Sequence, residues 1–573
     1  MTPLRKLNIT AGKGILLLLS CLLLAGCSGK PKNPIKQSSS ETEPPDSAAE
    51  SASVPEGSAA EPASVPENST ADSAAPDKTS DPAAGETTCM PVISIRTKNN
   101  ADDVMKFVTD PVAAHVSAAI ASWTPGYVMP PAPYYEPCTI TLTDTDQEVL
   151  IESAYADVKV RGNWTTSYDK KPLRIKFSEK HSMLGLNDGA EMKNWVLLAE
   201  FKDNSMLRNK TALEISREML LPDGYYAADA RFVEVYINQE YWGVYLLTEQ
   251  QETSKHRVAV SGPKKDETDP MTGYFLEFDG NFTNEDPLYQ FSVDYNHNAP
   301  LVPYDGNGGS DQTITALPES SYDRKIPVGF TIKSNIRSQE QHDFIANYIN
   351  NVYRIMYAAA YQDEAYVFDE DFSSISKTTG ITPQQAVEQV VDVQSLANLY
   401  LISELTCDAD LYWSSFFMDV DFTPGHEKKL TFEAPWDFDS ALGIKSRCPD
   451  GTGWYAANII PDVNGNSYET VNPWLTVLIY EDWFRQIIRE KWTAAYDAGI
   501  FTRAHEKILR ETDEYRDAFS RNLKRWGSST DVRSIAQEMS PSAKKCKTQP
   551  DAAAQLSDWL DARIHFLNDA LHT

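Results

Sequence analysis

The sequence predicts an α+β protein in which a β-rich lobe, about 91–334, is followed by an α-rich lobe, about 335–573. Three observations carry this. Before residue 280 the apolar residues alternate in short runs, the two-residue period of half-buried strands. After residue 335 they recur at helical spacing, and only 416–420 and 429–432 interrupt as strands. Those two strands frame Pro435-Trp-Asp-Phe-Asp439, an acidic corner at the junction of the two patterns, which predicts a cleft between lobes.

The chain of 573 residues opens with Arg5, Lys6 and Lys13, then the apolar run 15–24, then Ala25-Gly26-Cys27. A basic start, an apolar stretch too short for a comfortable membrane span and small residues before a cysteine describe an export signal over 1–27. Leu24-Ala-Gly-Cys27 resembles the bacterial lipobox, so Cys27 is the expected lipidated first residue of the mature chain. The expected location is the extracellular face of the bacterial cell membrane. The competing reading, an uncleaved membrane helix, finds no stop-transfer segment later in the chain.

Residues 28–88 contain eleven acids against four lysines and no aromatic residue. Such a composition buries too little apolar surface to offset backbone entropy, so a disordered linker is predicted. The repeated Ser53-Val-Pro-Glu and Ser64-Val-Pro-Glu are low complexity rather than a folded repeat.

The remaining body, 89–573, is long enough for two lobes. Strands are predicted at 91–96, 139–143, 156–161, 172–177 and 195–199, with an insertion at 101–137 that begins helical and ends in a Pro- and Tyr-rich loop. Asp203 supplies a capping residue for a helix over 203–219. Strands 231–237 and 241–247 follow, joined by the hairpin signal Asn238-Gln-Glu240. Helices are predicted at 339–361, 393–406 and over most of 474–571.

A formal charge of −30 argues against nucleic acid as a partner and suits a basic or metal-bridged one. Beyond Cys21 and Cys27, five cysteines remain: Cys89, Cys138, Cys407, Cys448 and Cys546. They have no CxxC or Cys/His metal spacing, and their odd number leaves at least one unpaired. Cys89 with Cys138, and Cys407 with Cys448, are both open as disulfides in an oxidising compartment. Nine histidines without an HExxH pair argue against zinc hydrolysis. Asp462-Val-Asn-Gly-Asn-Ser starts like a calcium loop, but Ser467 and Pro473 stand at the required glycine and twelfth-position acid. The 305–311 stretch reads as a polar turn, and Tyr241 with Trp242 as core.

The strongest chemical signal is the set Asp410, Ser415, Asp437 and Asp439. One carboxylate facing a hydroxyl proton, with others holding a divalent cation beside phosphates, is the skeleton of a phosphotransferase. The competing reading is a turn with solvated carboxylates.

Val160-Arg-Gly-Asn-Trp164, Lys170-Lys-Pro-Leu-Arg-Ile-Lys176, Asn194-Trp-Val-Leu-Leu198, Leu207-Arg-Asn209, the 238–245 stretch and Pro435-Trp-Asp-Phe-Asp439 occur in order. Together, over about 91–445, they resemble the spore coat protein H (CotH) kinase family. The resemblance implies an atypical, secreted, protein-kinase-like bilobal fold. It also implies binding of ATP with Mg2+ or Mn2+, and phosphorylation of serines or threonines on surface or coat proteins.

Mapped by motif, Asp410 in Cys407-Asp-Ala-Asp-Leu-Tyr-Trp-Ser-Ser is similar to the family's catalytic aspartate, with Asp408 the competing choice. Asp437 is the implied metal ligand, and Asp439 a second ligand or an orienting residue. Ser415 is a third metal position, where many members have Asn. On the β-rich side the resemblance implies phosphate contacts from Arg161 and from Lys176, the latter if it shares a cleft-facing strand face with Arg174. Glu214 or Glu218 would hold that lysine, and Glu249 would border the adenine. Each of these has a surface ion pair as its alternative. The alternative for the whole is a surface adhesin or scaffold on the same fold with weak or no catalysis.

Overall fold

In the computed structural model the described residues are 88–98, 105–306, 313, 326, 328–459 and 470–573. The expected signal segment with Cys27, the linker up to residue 87, the Asp462 loop and most of the 305–311 turn lie outside them.

Seven strands close into a barrel in the order β1-β2-β3-β4-β5-β7-β6. They are β1 (Val92–Thr97), β2 (Glu136–Thr143), β3 (Val149–Val160), β4 (Leu173–His181), β5 (Met192–Leu198), β6 (Ala230–Ile237) and β7 (Glu240–Glu249). All neighbours are antiparallel except β1 and β6, whose parallel pairing completes the ring and leaves no open edge. Alternate residues point inward: Ile93 and Ile95, Leu173, Ile175 and Phe177, Trp195 and Leu197, Val233 and Val235 form one core. The β6–β7 hairpin turns on Asn238 and Gln239 at φ 50° and 70°, the two left-handed residues that a type I′ turn requires.

Between β5 and β6 runs the helix Arg208–Leu220. It starts where the Asp203 carboxylate accepts from the N–H groups of Ser205, Leu207 and Arg208 and pairs with the Arg208 guanidinium. This satisfies donors that a helix N-terminus otherwise leaves orphaned.

A second sheet has the order β14-β13-β8-β10-β9. Its strands are β8 (Gly273–Asp279), β9 (Gln290–Phe291), β10 (Gly329–Ile332), β13 (Phe416–Asp421) and β14 (Thr431–Phe432). Because β8 pairs with β13, the sheet crosses the expected division near residue 334: strands from the first half are built into the second. A further hairpin of β11 (Ala365–Phe368) and β12 (Ile375–Thr378) lies where the sequence pattern suggested helices alone. These four-residue strands are too short for periodicity to reveal.

Val393–Thr406 packs on β14 and Gln339–Gln362 lays Phe344 on Tyr274 of β8, while the helices Asp482–Asp497, Ile500–Glu514 and Gln549–Leu571 pack on one another and against Val393–Thr406. Val393–Thr406 is buried on every side except at Gln394, its buried polar side chains hydrogen-bonded, Glu404 to the Tyr455 and Ala456 N–H groups and Asn398 to Asp223. The molecule is thus α+β, with a closed barrel. Among the described residues no helix is long and apolar enough to cross a membrane.

Candidate active site

Six chain segments converge on one polar cleft. They are the loop between β3 and β4 (161–172), the loop after β5 (199–202), Asn209 in the first turn of its helix, Asp410 beyond the Val393–Thr406 helix, Ser415 before β13, and 436–439 after β14. The β3 loop folds tightly: Gly162 sits at φ +90°, and a Cβ there would lie 2.5 Å from the Thr165 hydroxyl, so only glycine fits.

One ligand oxygen from each of Asp410, Asp437 and Asp439 can be chosen so that all three lie within 4.8 Å of one another. Several non-glycine residues around them are left-handed: Asp437 at φ 68°, Ser415 at 59°, Cys407 at 48° and Glu200 at 52°. Strain of this kind persists only where the surroundings over-determine it, and it clusters at functional sites.

Burial pushes the Asp437 carboxyl up to about 7; Asp439 and Asp410 add to the rise, while Lys202 and Arg161 oppose it. Asp408 is buried behind the cleft. Its carboxylate accepts from the Asp410 N–H at 3.0 Å, and burial followed by Asp410 raises its own carboxyl well above the usual range. Of the two acids left open by sequence, Asp410 is the one that lines the cleft. Ser415 is held from behind, its N–H donating to Glu277 Oε1 at 3.1 Å and Glu277 pairing with Lys333 at 3.0 Å. Its hydroxyl reaches Asp437 only at 3.4 Å, long for an O–H···O bond.

The cations of the site come from the barrel. Lys202 Nζ donates to Asp439 Oδ1 at 2.9 Å and to Ser440 Oγ at 2.7 Å. Burial alone would lower its ammonium, but Asp439, followed by Tyr168 and Asp410, outweighs burial and holds it well above the ordinary lysine value. Arg161 lines the same cleft with its guanidinium 5.8 Å from the Trp436 ring centre. Lys170 reaches the wall with Nζ on the carbonyls of Ala199, at 2.7 Å, and Val244. Burial lowers it to about 7, with Glu200 opposing. Asn209 ties the halves together: its amide donates to Glu200 at 3.0 Å and accepts from the Phe438 N–H at 2.8 Å.

Four sequence expectations are corrected by position. Leu173, Ile175 and Phe177 face the barrel interior, so Arg174 and Lys176 lie on the outer face. Arg174 there meets Asn194 at 3.2 Å, and Lys176 is not among the cleft residues. Glu214 pairs with Lys210 and Lys507, and Glu218 with Arg503, so each is engaged by other cations away from the cleft. Glu249 is fully buried at the end of β7, paired with Arg257 at 3.1 Å and accepting from Asn187 and Asp229. It is not a cleft residue either.

Sequence reasoning missed Lys202, Glu200, Asn209 and Lys170 as site residues. Asn209 and Lys170 lay inside two of the recognised motif pieces, without a role. Lys202 carried no local signal, because its place depends on where β5 ends.

Three carboxylates from two chain segments, faced by a lysine and an arginine, define an α+β protein with an acidic, cation-rimmed cleft. Three hard oxygen donors at this spacing fit a divalent cation such as Mg2+ or Mn2+. The family described as CotH kinase protein matches residues 158–567, and the chain belongs to it. The family is one of kinase-like proteins. The match takes in the helices after residue 446, which the short motifs did not reach. No curated protein matches the chain.

Proposed function

We propose that this protein is a metal-dependent atypical protein kinase, displayed outside the cell on a lipid anchor at Cys27. It would transfer the γ-phosphoryl group of ATP to a serine or threonine of a surface or coat protein. The observation that carries this reading is the meeting of Asp410, Asp437 and Asp439 in one cleft. In this reading the barrel side serves as the β-rich lobe of a kinase-like pair and the second sheet with its helices as the α-rich one.

Asp410 orients the incoming hydroxyl and accepts its proton as oxygen attacks the γ-phosphorus. The bond from that phosphorus to the bridging oxygen breaks, and ADP leaves with the electron pair. Asp437 and Asp439 would hold the divalent cation, with Ser415 adjacent. A bound Mg2+ or Mn2+ neutralises phosphate charge as it shifts to the leaving group. Arg161 and Lys202 are the cations placed to meet phosphate oxygens.

The test is incorporation of label from γ-labelled ATP with Mg2+ or Mn2+ into the full-length chain, beside Asp410→Ala. Label in the wild type and none in the variant supports phosphotransfer. Absence of label from both, together with no nucleotide binding by calorimetry, favours the second reading, a surface adhesin or scaffold. Ser415 in the place where many family members have Asn is the observation on that side.

A further inference from the structure

We propose that Cys407 and Cys448 form a disulfide that staples together the two acid-bearing segments of the cleft. The bond forms when the folding chain meets a disulfide oxidant, small or protein-borne.

The barrel register removes the rival pairing. Cys138 stands opposite Thr97 on β1, whereas Cys89 precedes Val92, whose partner on β2 is Thr143. From position 89 to position 97 an extended chain covers roughly 26 Å, while a disulfide needs Cα atoms within about 7 Å. The Cys138 side chain also packs inside the barrel.

Cys407 and Cys448 flank one guanidinium, that of Arg563. Cys407 Sγ donates to Glu404 O at 3.5 Å and Cys448 Sγ to Thr452 O at 3.7 Å, and the two residues are 4% and 2% exposed within one apolar core. Arg563 clamps the two segments from the Gln549–Leu571 helix. Its Nη2 donates to Glu404 O at 2.6 Å on the Cys407 side, and its Nη1 donates to Gly453 O at 2.7 Å on the Cys448 side. Glu404 answers with its carboxylate on the Tyr455 and Ala456 N–H groups at 2.8 and 2.9 Å. The two segments are therefore held together by contacts independent of any bond between the sulfurs. The neighbouring Cys407, against burial, keeps the Cys448 thiol below its ordinary value, which favours it as the attacking thiolate.

In the exchange, Cys448 attacks the oxidant's disulfide, releasing one thiolate and leaving a mixed disulfide. Cys407 then attacks the Cys448 sulfur and expels the second thiolate. One S–S bond is made, two protons leave, and two electrons reduce the oxidant to its dithiol form. The loop so closed runs from 407 to 448 and contains Asp408, Asp410, Ser415, Asp437 and Asp439. Closing it removes chain entropy from the unfolded state and fixes both ends of the acidic constellation. The inference stands on the register and the Arg563 clamp, and does not require phosphotransfer.

The experiment is a non-reducing peptide map of the full-length chain, refolded with oxidised glutathione and alkylated before digestion. A single crosslinked peptide joining Cys407 and Cys448, with Cys89, Cys138 and Cys546 alkylated, is expected. Five alkylated cysteines, or Cys407 joined to any other residue, would overturn the pairing. Thermal unfolding supplies a second arm: dithiothreitol lowers the wild-type midpoint by on the order of 5 °C. The same reagent leaves the Cys407→Ala/Cys448→Ala double variant where it was. An equal shift in both proteins refutes the proposal.

Discussion

Lys202 donates to Asp439 Oδ1 at 2.9 Å, so the loop leaving β5 is charge-locked to the stretch carrying two of the three clustered acids. At 14% and 15% side-chain exposure the pair is mostly sheltered from water and salt. Lys202, not Lys176, is thus the lysine positioned to answer charge in the cleft. Replacing Lys202 by Met is expected to cut labelled-phosphate transfer on the order of 100-fold. Lys176→Met, on the outer barrel face, should stay within about twofold of wild type. Measuring transfer rates for both variants decides between the two lysines.

Glu249 and Arg257 form an ion pair with no exposed side-chain surface. Breaking such a pair strands a charge in a medium that cannot solvate it, at a cost of about 3–5 kcal/mol. Arg257→Met should therefore lower the free energy of urea unfolding by about that amount. An adenine-bordering role for Glu249 predicts something different, namely a loss of ATP affinity in Glu249→Gln at temperatures where the variant is still folded. Nucleotide titration of that folded variant is expected to match the wild type within about twofold, as a structural ion pair requires.

Ser415 shows how a side chain can be adjacent to a cluster without being strongly bonded to it. Its hydroxyl stands 3.4 Å from Asp437, while its backbone is fixed by Glu277 at 3.1 Å. Ser415→Ala should cost less than about tenfold in transfer, because a hydrogen bond of that length contributes little. Glu277→Gln weakens the anchor of the whole 415 turn and removes the Glu277–Lys333 ion pair. It is expected to cost more than Ser415→Ala in both transfer rate and melting temperature. The reverse order would remove Glu277 from the positioning of the site.

Much of this was legible because period and punctuation act locally. The strand alternation, the Asp203 cap, the Asn238-Gln239 turn and the paired acids of 437 and 439 can all be read within a few residues. The partners of Lys176, Glu214 and Glu249 could not be read that way. Which face of β4 is inside depends on closure of the barrel by the parallel β1–β6 contact, a pairing between residues far apart in the chain. Lys210 is a local partner of Glu214 one turn away, but Lys507 and Arg503, which also engage Glu214 and Glu218, arrive from a helix nearly 300 positions later. Lys202 was missed for the same reason: its meeting with Asp439 is a tertiary fact, without a local pattern.

The acidic cluster itself predicts a pH dependence. Burial, then Asp439 and Asp410, raise the Asp437 carboxyl to about 7 from the ordinary 3.8. Between those values the folded protein holds more protons than the unfolded chain, so this group costs stability progressively as pH rises through that window. Asp437→Asn removes the cost. Without metal, its melting temperature relative to wild type should rise from pH 5 to pH 8, by an amount equivalent to about 2–3 kcal/mol. Metal binding runs the opposite way, because a cation must displace the proton. Affinity of the wild type for Mn2+ is expected to weaken about tenfold per pH unit below 7 and to level off above it. Calorimetric titration between pH 5.5 and 8.5, paired with thermal unfolding of the variant, checks both halves. A variant less stable than wild type at pH 8 would recast Asp437 as a structural carboxylate whose charge the fold needs.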